Sequence, residues 1–358
     1  MFVAWRDLRF AKGRFALMGT VVVLITVLVG LLSGLTAGLA RGNVSAVTGL
    51  PADHLAFAAP ADGQKLAFGD SVLPESAWRQ WAQVPGVTAA EPLGVATTRA
   101  RSGGRTAAVS AFGVAAGSPL APAAVRDGAA VLSAAAAKAL GAGPGDRVAL
   151  GGRELAVTAV AGDAAYSHTP VVWTGLGDWQ QIAPGAAGGG TRATVVALTT
   201  RPGADLRAAD ARLGTRTVTR EGALAAIGSY TSENGSLQLM RGFLFAISAL
   251  VVGAFFTVWT IQRSGDVAVL KALGASTGYL LRDALGQAVL LLVAGTAAGS
   301  ALAAAAGALV SGTVPFVLDA STVLVPALVM TALGAAGAAL SVRRITSVDP
   351  LTALGSTR

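Results

Sequence analysis

Apolar residues gather into four long runs, Phe15–Leu39, Gly242–Ile261, Ala284–Val310 and Val323–Val342, and the last three hold no charged side chain. A helix needs about 20 predominantly apolar residues to cross a hydrocarbon layer of roughly 30 Å. Each run predicts a membrane-spanning helix. The first is longer than the apolar core of about 7–15 residues in a secretory signal, so it reads as a retained helix.

Residues 41–238 carry a different pattern, with short β-like segments alternating with Ala-rich helical ones. His54–Ala59, Thr88–Arg99 and Arg105–Val114 read as strands, the last two flanking the turn at Arg101–Gly104. Ser76–Val84 reads as a helix. From Ala129 the order is a strand, a helix capped by Ser133 that ends near Gly141, a turn at Gly143–Asp146, and a hairpin through Gly151–Gly152. A strand from Pro170 leads to a helix start near Asp178. Residues 183–192 read as a flexible Gly-rich loop. Ala193–Thr200 reads as a strand and Asp205–Leu213 as a short helix, and from Glu221 the chain returns helically to the second run. The fold class predicted is an integral membrane protein. It has four transmembrane helices and a large extracytoplasmic α+β domain, in two lobes, between helices 1 and 2.

The chain therefore divides into a short amphipathic segment (1–14), helix 1 (15–40), the large domain (41–238), helix 2 (239–262), a charged amphipathic stretch (263–283), helix 3 (284–311), a loop (312–321), helix 4 (322–342) and a tail (343–358). Basic residues favour the cytoplasmic side of a membrane helix. Arg6, Arg9, Lys12 and Arg14 precede helix 1, Arg263, Lys271 and Arg282 lie between helices 2 and 3, and Arg343, Arg344 and Arg358 follow helix 4. The loop between helices 3 and 4 has no basic residue. Both termini and the 263–283 stretch are expected in the cytoplasm of a cell-membrane protein, with the large domain outside.

Composition agrees. Of 358 residues, 53% are hydrophobic and only 13% charged, against about 25% charged in soluble domains. The formal charge of +8 follows the membrane topology, so nucleic acid is not an expected partner. There is no phosphate-binding G-x-x-x-x-G-K-[ST] loop, no H-E-x-x-H, no G-x-S-x-G and no cysteine. With His54 and His168 as the only histidines, an enzyme acting alone is not expected, nor an intrinsic cofactor or metal site.

A helix from Asp266 to Leu281 would set Val267, Leu270, Lys271 and Gly274 along one side, with Leu273, Leu280 and Leu281 extending the apolar area. Such a helix suits either the membrane surface or the groove of a cytoplasmic partner. Here "DVAVLKALGAS" (266–276), "LGAGPGDRVALGGRELAVTAVAG" (140–162) and "ITSVDPLTAL" (345–354) resemble FtsX-like, MacB-type permeases of ABC transporters, over nearly the whole chain. The resemblance implies a type VII ABC permease, a homodimer working with two copies of a separate ATPase that binds ATP. Val267, Leu270, Lys271, Leu273 and Gly274 would then form the coupling helix on that ATPase, transmitting its closure to helices 2 and 3.

Gly30, Gly34 and Gly38 form a small-residue stripe on helix 1, read as packing against helix 2 or a second copy, or as a flat wall for a planar ligand. Gly295 and Gly299 on helix 3 read as packing. The segment "WRDLRFAKGRFALMG" (5–19) and the chain's size resemble the haem-exporting, HrtB-type branch of the family. Haem as cargo needs an axial ligand and cations for its propionates. The candidates are Tyr166, His168, Tyr230, Glu233 and Met240, with Arg41 and Arg241 on the propionates. Snorkelling to lipid phosphates is the competing reading of the two arginines. An exporter of a different amphiphile, such as an antimicrobial peptide or drug, a lipoprotein-releasing permease, and a non-transporting mechanical regulator of a cell-wall hydrolase are the alternatives.

Overall fold

The computed structural model describes residues 12–183, 190–262, 265, 269, 273–310 and 314–346. The chain separates into two compact units, one of residues 1–38 and 235–358 and one of residues 39–234.

Four helices are long and apolar enough to cross a membrane: α1 (Lys12–Thr48), α6 (Tyr230–Gln262), α7 (Thr277–Val310) and α8 (Ala320–Thr346). In the first unit they meet through small residues. A Cβ at Gly295 would lie 2.7 Å from Val22, and one at Gly299 2.6 Å from Thr26, so α7 lies directly on α1. The packing reading of Gly295 and Gly299 is what this contact shows. A Cβ at Gly337 of α8 would lie 3.3 Å from the Gly253 backbone of α6. A glycine at such a contact lets two backbones approach where a side chain would hold them apart. Met18, Val22, Val252, Phe256, Trp259, Ala288, Leu292 and Ala338 form the shared apolar cluster.

In the 263–283 stretch the helix expected from Asp266 to Leu281 is interrupted at Gly274. Leu273 N–H still donates to Val269 O at 3.0 Å, but Gly274 adopts φ +95 and α7 starts only at Thr277. Glycine reaches this left-handed backbone without a Cβ clash, which is how helices commonly stop. Ser276 then caps the new start, accepting from Tyr279 N–H at 3.3 Å.

The second unit contains a ten-stranded sheet. Its strands are β1 (His54–Ala58), β3 (Val87–Ser102), β4 (Arg105–Val114), β5 (Ala129–Leu132), β6 (Arg147–Leu150), β7 (Arg153–Val160), β8 (Ala165–Tyr166), β9 (Thr169–Gly175), β11 (Val195–Thr200) and β12 (Thr215–Thr219); β2 (Leu73–Pro74) and β10 (Arg192–Ala193) pair separately. Short helices α2 (Glu75–Trp81), α3 (Ala134–Leu140), α4 (Leu176–Ile182) and α5 (Leu206–Leu213) cover it. The order β3-β4-β9-β5-β7-β6 returns to β3, because Ala100 and Arg101 pair with Leu150 and Ala149. These strands therefore close into a small barrel, which leaves them no free edge. β11, β1 and β12 extend the same sheet from the other edge of β3. The sequence reads as two lobes; the structure runs one sheet through both, because the 16 residues of β3 are long enough to serve each.

Local signals act as read. Ser133 Oγ accepts from Ala136 N–H at the start of α3, and Gly141 ends it in the left-handed conformation; such a cap is worth about 1 kcal/mol. Asp205 caps α5 in the same way. α4 starts at Leu176, two residues before the predicted point, and buries Asp178. That carboxylate accepts from Gly128 N–H at 2.5 Å and Arg153 at 2.6 Å, so it is a paired structural group. The predicted flexible loop at 183–192 falls largely on residues outside those described.

Candidate functional site

The last turns of α1 belong to the second unit, where Val44, Ala46 and Val47 are buried in its core. The β8–β9 hairpin is fastened along this segment. Ser167 N–H donates to Asn43 O at 2.9 Å and His168 N–H to Gly42 O at 3.0 Å. Ser45 Oγ accepts from Ala165 N–H at 2.9 Å and donates to Ala165 O. Ser167 and His168, the two central turn residues, have φ of 48° and 61°. Positive φ at both positions matches the twist of a two-residue hairpin. For residues with a Cβ it costs about 1–2 kcal/mol each, and the two hydrogen bonds to α1 oppose that cost.

The turn carries His168 to Glu233, in the first turn of α6. His168 Nε2 and Glu233 Oε2 are 2.7 Å apart. A carboxylate only accepts, so Nε2 carries the hydrogen. Asn43 Nδ2 donates to the same Oε2 at 3.0 Å and to Ser229 Oγ at 3.2 Å. Asn43 is buried, and its Oδ1 has no partner among the described residues. Glu233 N–H donates to Ser229 O at 3.0 Å, and an acidic side chain in a first helical turn is favoured by the helix dipole. His168 and Glu233 remain about 40% exposed, so the pair contributes at most about 1 kcal/mol even with the imidazole charged. The result is a polar cluster of Asn43, His168, Ser229 and Glu233, built where the chain leaves helix 1 and re-enters helix 2. No local pattern marks Asn43 or Ser229, because their contact spans 186 positions and is made only by the fold.

The remaining predicted residues have separate settings. Tyr230 is half-buried against the domain core, and Arg41 is exposed. Tyr166 is buried, edge-on to Phe68 at 5.5 Å and Phe112 at 5.7 Å. Burial pushes its phenol pKa up, which opposes the tyrosinate that an iron ligand requires. Met240 and Arg241 belong to the membrane unit, where Met240 is exposed and the Arg241 guanidinium lies 5.6 Å from the Phe245 ring centroid.

The glycine stripe of helix 1 is covered by its own chain. A Cβ at Gly30 would lie 2.9 Å from Ala303 of α7; at Gly34 it would overlap the Phe316 ring and at Gly38 the Pro315 carbonyl. Val317 N–H donates to Gly34 O at 3.1 Å. Each of the three positions thus faces α7 or the Pro315–Phe316 turn. The gap left beside Gly30, Gly34 and Phe316 is about 10 Å³, room for about one water. Of the coupling candidates, Val267, Leu270 and Lys271 lie outside the described residues. Leu273 is 80% exposed, beside Gly274 at the helix break.

Four membrane-length helices, with a large β-rich domain between the first two, define a multi-pass membrane protein. Residues 18–216 match the MacB-like periplasmic core domain family and residues 239–350 the FtsX-like permease C-terminal family. The chain belongs to the MacB/FtsX-type family of ABC transporter permeases. A putative hemin transport system permease protein HrtB of Staphylococcus haemolyticus is 38% identical over 129 residues, 36% of this chain and 37% of that protein. An uncharacterized ABC transporter permease of Mycobacterium tuberculosis is 27% identical over 363 residues, 99% of each. The chain thus spans only 37% of the length of that HrtB relative. The periplasmic region of MacB from Actinobacillus actinomycetemcomitans aligns with TM-score 0.36 and 12% identity, over 51% of this chain and 95% of that one.

Proposed function

We propose that this permease exports haem, working as a homodimer with a separate dimeric ATPase. The similarity to hemin-permease relatives over 129 residues is the observation that carries the cargo reading. Both termini and residues 263–283 face the cytoplasm in this proposal, following the distribution of Lys and Arg. The domain of residues 41–238 lies outside. Haem enters laterally from the outer leaflet, and the domain end of helices 1 and 2 receives it. Tyr230, His168 and Glu233 are the ligand candidates there, with Tyr166 disfavoured by its burial. Arg41 serves a propionate, and Met240 and Arg241 follow on α6 for the cargo's passage. The His168–Glu233 contact at 2.7 Å supports this reading because it gathers two potential iron ligands at one point.

ATP is bound and hydrolysed by the partner. Val267, Leu270, Lys271, Leu273 and Gly274 form the surface it grips, so that its closure is transmitted to helices 2 and 3 and squeezes the cargo outward. A haemin titration of the purified protein, followed by visible absorbance, tests the cargo. The expected result is saturable binding with a ligand-type spectrum, altered in Tyr230→Phe or Glu233→Gln; absence of saturable binding overturns haem as cargo. Leu270→Asp is expected to leave the permease folded while losing ATPase co-purification, and unchanged co-purification overturns the coupling assignment.

A further inference from the structure

Two donors converge on one oxygen of Glu233. His168 Nε2 at 2.7 Å and Asn43 Nδ2 at 3.0 Å both bond Oε2, whereas Oε1 has no partner among the described residues. The side chain stays partly exposed, so a ligand can reach the carboxylate. Both donors are themselves fixed. Asn43 is 1% exposed. Its Nδ2 also meets Ser229 Oγ at 3.2 Å, and its carbonyl accepts from Ser167 N–H at 2.9 Å. His168 N–H donates to Gly42 O at 3.0 Å. Its Nε2 is committed to Glu233, and its other ring nitrogen, Nδ1, faces Gly42, where a Cβ would lie 3.7 Å away.

We infer that Asn43 and His168 are positioning residues, which hold the Glu233 carboxylate by Oε2 and present Oε1 to the iron of the cargo. The inference rests on haem being that cargo, and it divides the candidates into a ligand, Glu233, and a support, His168. Carboxylate oxygens serve as iron ligands in protein sites. A ligand is kept in its productive orientation by hydrogen bonds from the residues behind it, and loss of one such bond commonly costs about ten- to hundredfold in metal affinity. Asn43 suits the task because its one amide joins the end of α1 to both Ser229 and Glu233. Glu233 N–H in turn donates to Ser229 O at 3.0 Å, so backbone and side chain of the ligand residue are tied to the same small network.

The test uses full-length protein in nanodiscs, titrated with haemin and followed by visible absorbance. Asn43→Ala is expected to weaken binding about tenfold or more and to alter the ligand-type spectrum. His168→Asn suits the left-handed backbone at this position, but its amide ends at the level of Nδ1, and it is expected to act in the same direction. His168→Gln places an amide N–H where Nε2 stood and is expected to restore most of the affinity with the wild-type spectrum, which a histidine–iron bond would not allow. Asp210→Asn is the stability control: it removes the acceptor of Thr217 N–H, 2.8 Å away between α5 and β12, and should leave affinity and spectrum unchanged. Wild-type affinity and spectrum in Asn43→Ala overturn its positioning role and leave haem as the cargo. A His168→Gln protein as impaired as His168→Asn overturns the support role of His168, and an unchanged spectrum in Glu233→Gln overturns Oε1 as the ligand atom. No saturable binding to wild type overturns the cargo reading and this inference with it.

Discussion

The Phe316 ring occupies the space that a side chain on Gly34 would need. Gly307 of α7 is bare for the same reason, since a Cβ there would also overlap Phe316. The turn between helices 3 and 4 is thus wedged into a groove between α1 and α7 and pinned by Val317 N–H on Gly34 O at 3.1 Å.

Gly34→Ala should therefore destabilise the protein by about 1–3 kcal/mol, the usual range for overpacking. In a Phe316→Ala background the same substitution should cost much less, because the overlapping ring is gone. Thermal unfolding of the four proteins, treated as a double-mutant cycle, measures the coupling. Equal costs in both backgrounds would mean that the ring and the glycine act independently.

Asn43 bridges Ser229 and Glu233 from a buried position. Asn43→Ala should cost about 1–3 kcal/mol through the hydrogen bonds it removes. Asn43→Asp should cost more at neutral pH, since it brings a second carboxylate to Glu233, and like charges in one site oppose ionisation. That excess should shrink as pH falls through the carboxylate range. Denaturant unfolding of both variants at neutral and acidic pH checks the order and the narrowing of the gap.

Ser167 holds φ +48° with no glycine to ease it. Ser167→Gly should stabilise the outer domain by up to about 1 kcal/mol, and Ser167→Val should destabilise it. Haemin or ATPase readouts are unnecessary; the thermal midpoint suffices.

Two groups make stability depend on pH at opposite ends. Tyr166 is buried with its phenol pKa raised, so the unfolded chain releases this proton first as pH climbs past about 10. Stability should fall above that point, and Tyr166→Phe should flatten the fall. Asp319 caps α8, accepting from Ser321 Oγ at 2.7 Å and Thr322 N–H at 2.8 Å. Its pKa is held below the ordinary 3.8, first by the Ser321 hydrogen bond and then by Thr322 N–H. The stabilisation is present above the unfolded value and lost as pH drops through the lower folded one. Asp319→Asn should remove that acid dependence. Unfolding midpoints across pH 2–11 follow both effects.

Four runs of membrane length, the caps at Ser133 and Gly141, and most strand positions could be read directly. Each depends on residues a few positions apart, where helical and strand periods and capping chemistry act. The break at Gly274 escaped the periodic pattern, because one backbone angle stops a helix whose side-chain pattern continues. Contacts between distant residues escaped it as well. His168 and Glu233 are 65 positions apart and Asn43 and Glu233 190 apart. Their meeting depends on how the hairpin is fastened to α1. The glycine stripe could be recognised as a close-packing surface, but its partner could not: small residues permit approach by any helix, and the shape of Phe316 and the reach of its turn select which neighbour fills the space. Residue type gives a surface its capacity for contact, and packing of the whole chain determines which contact is made.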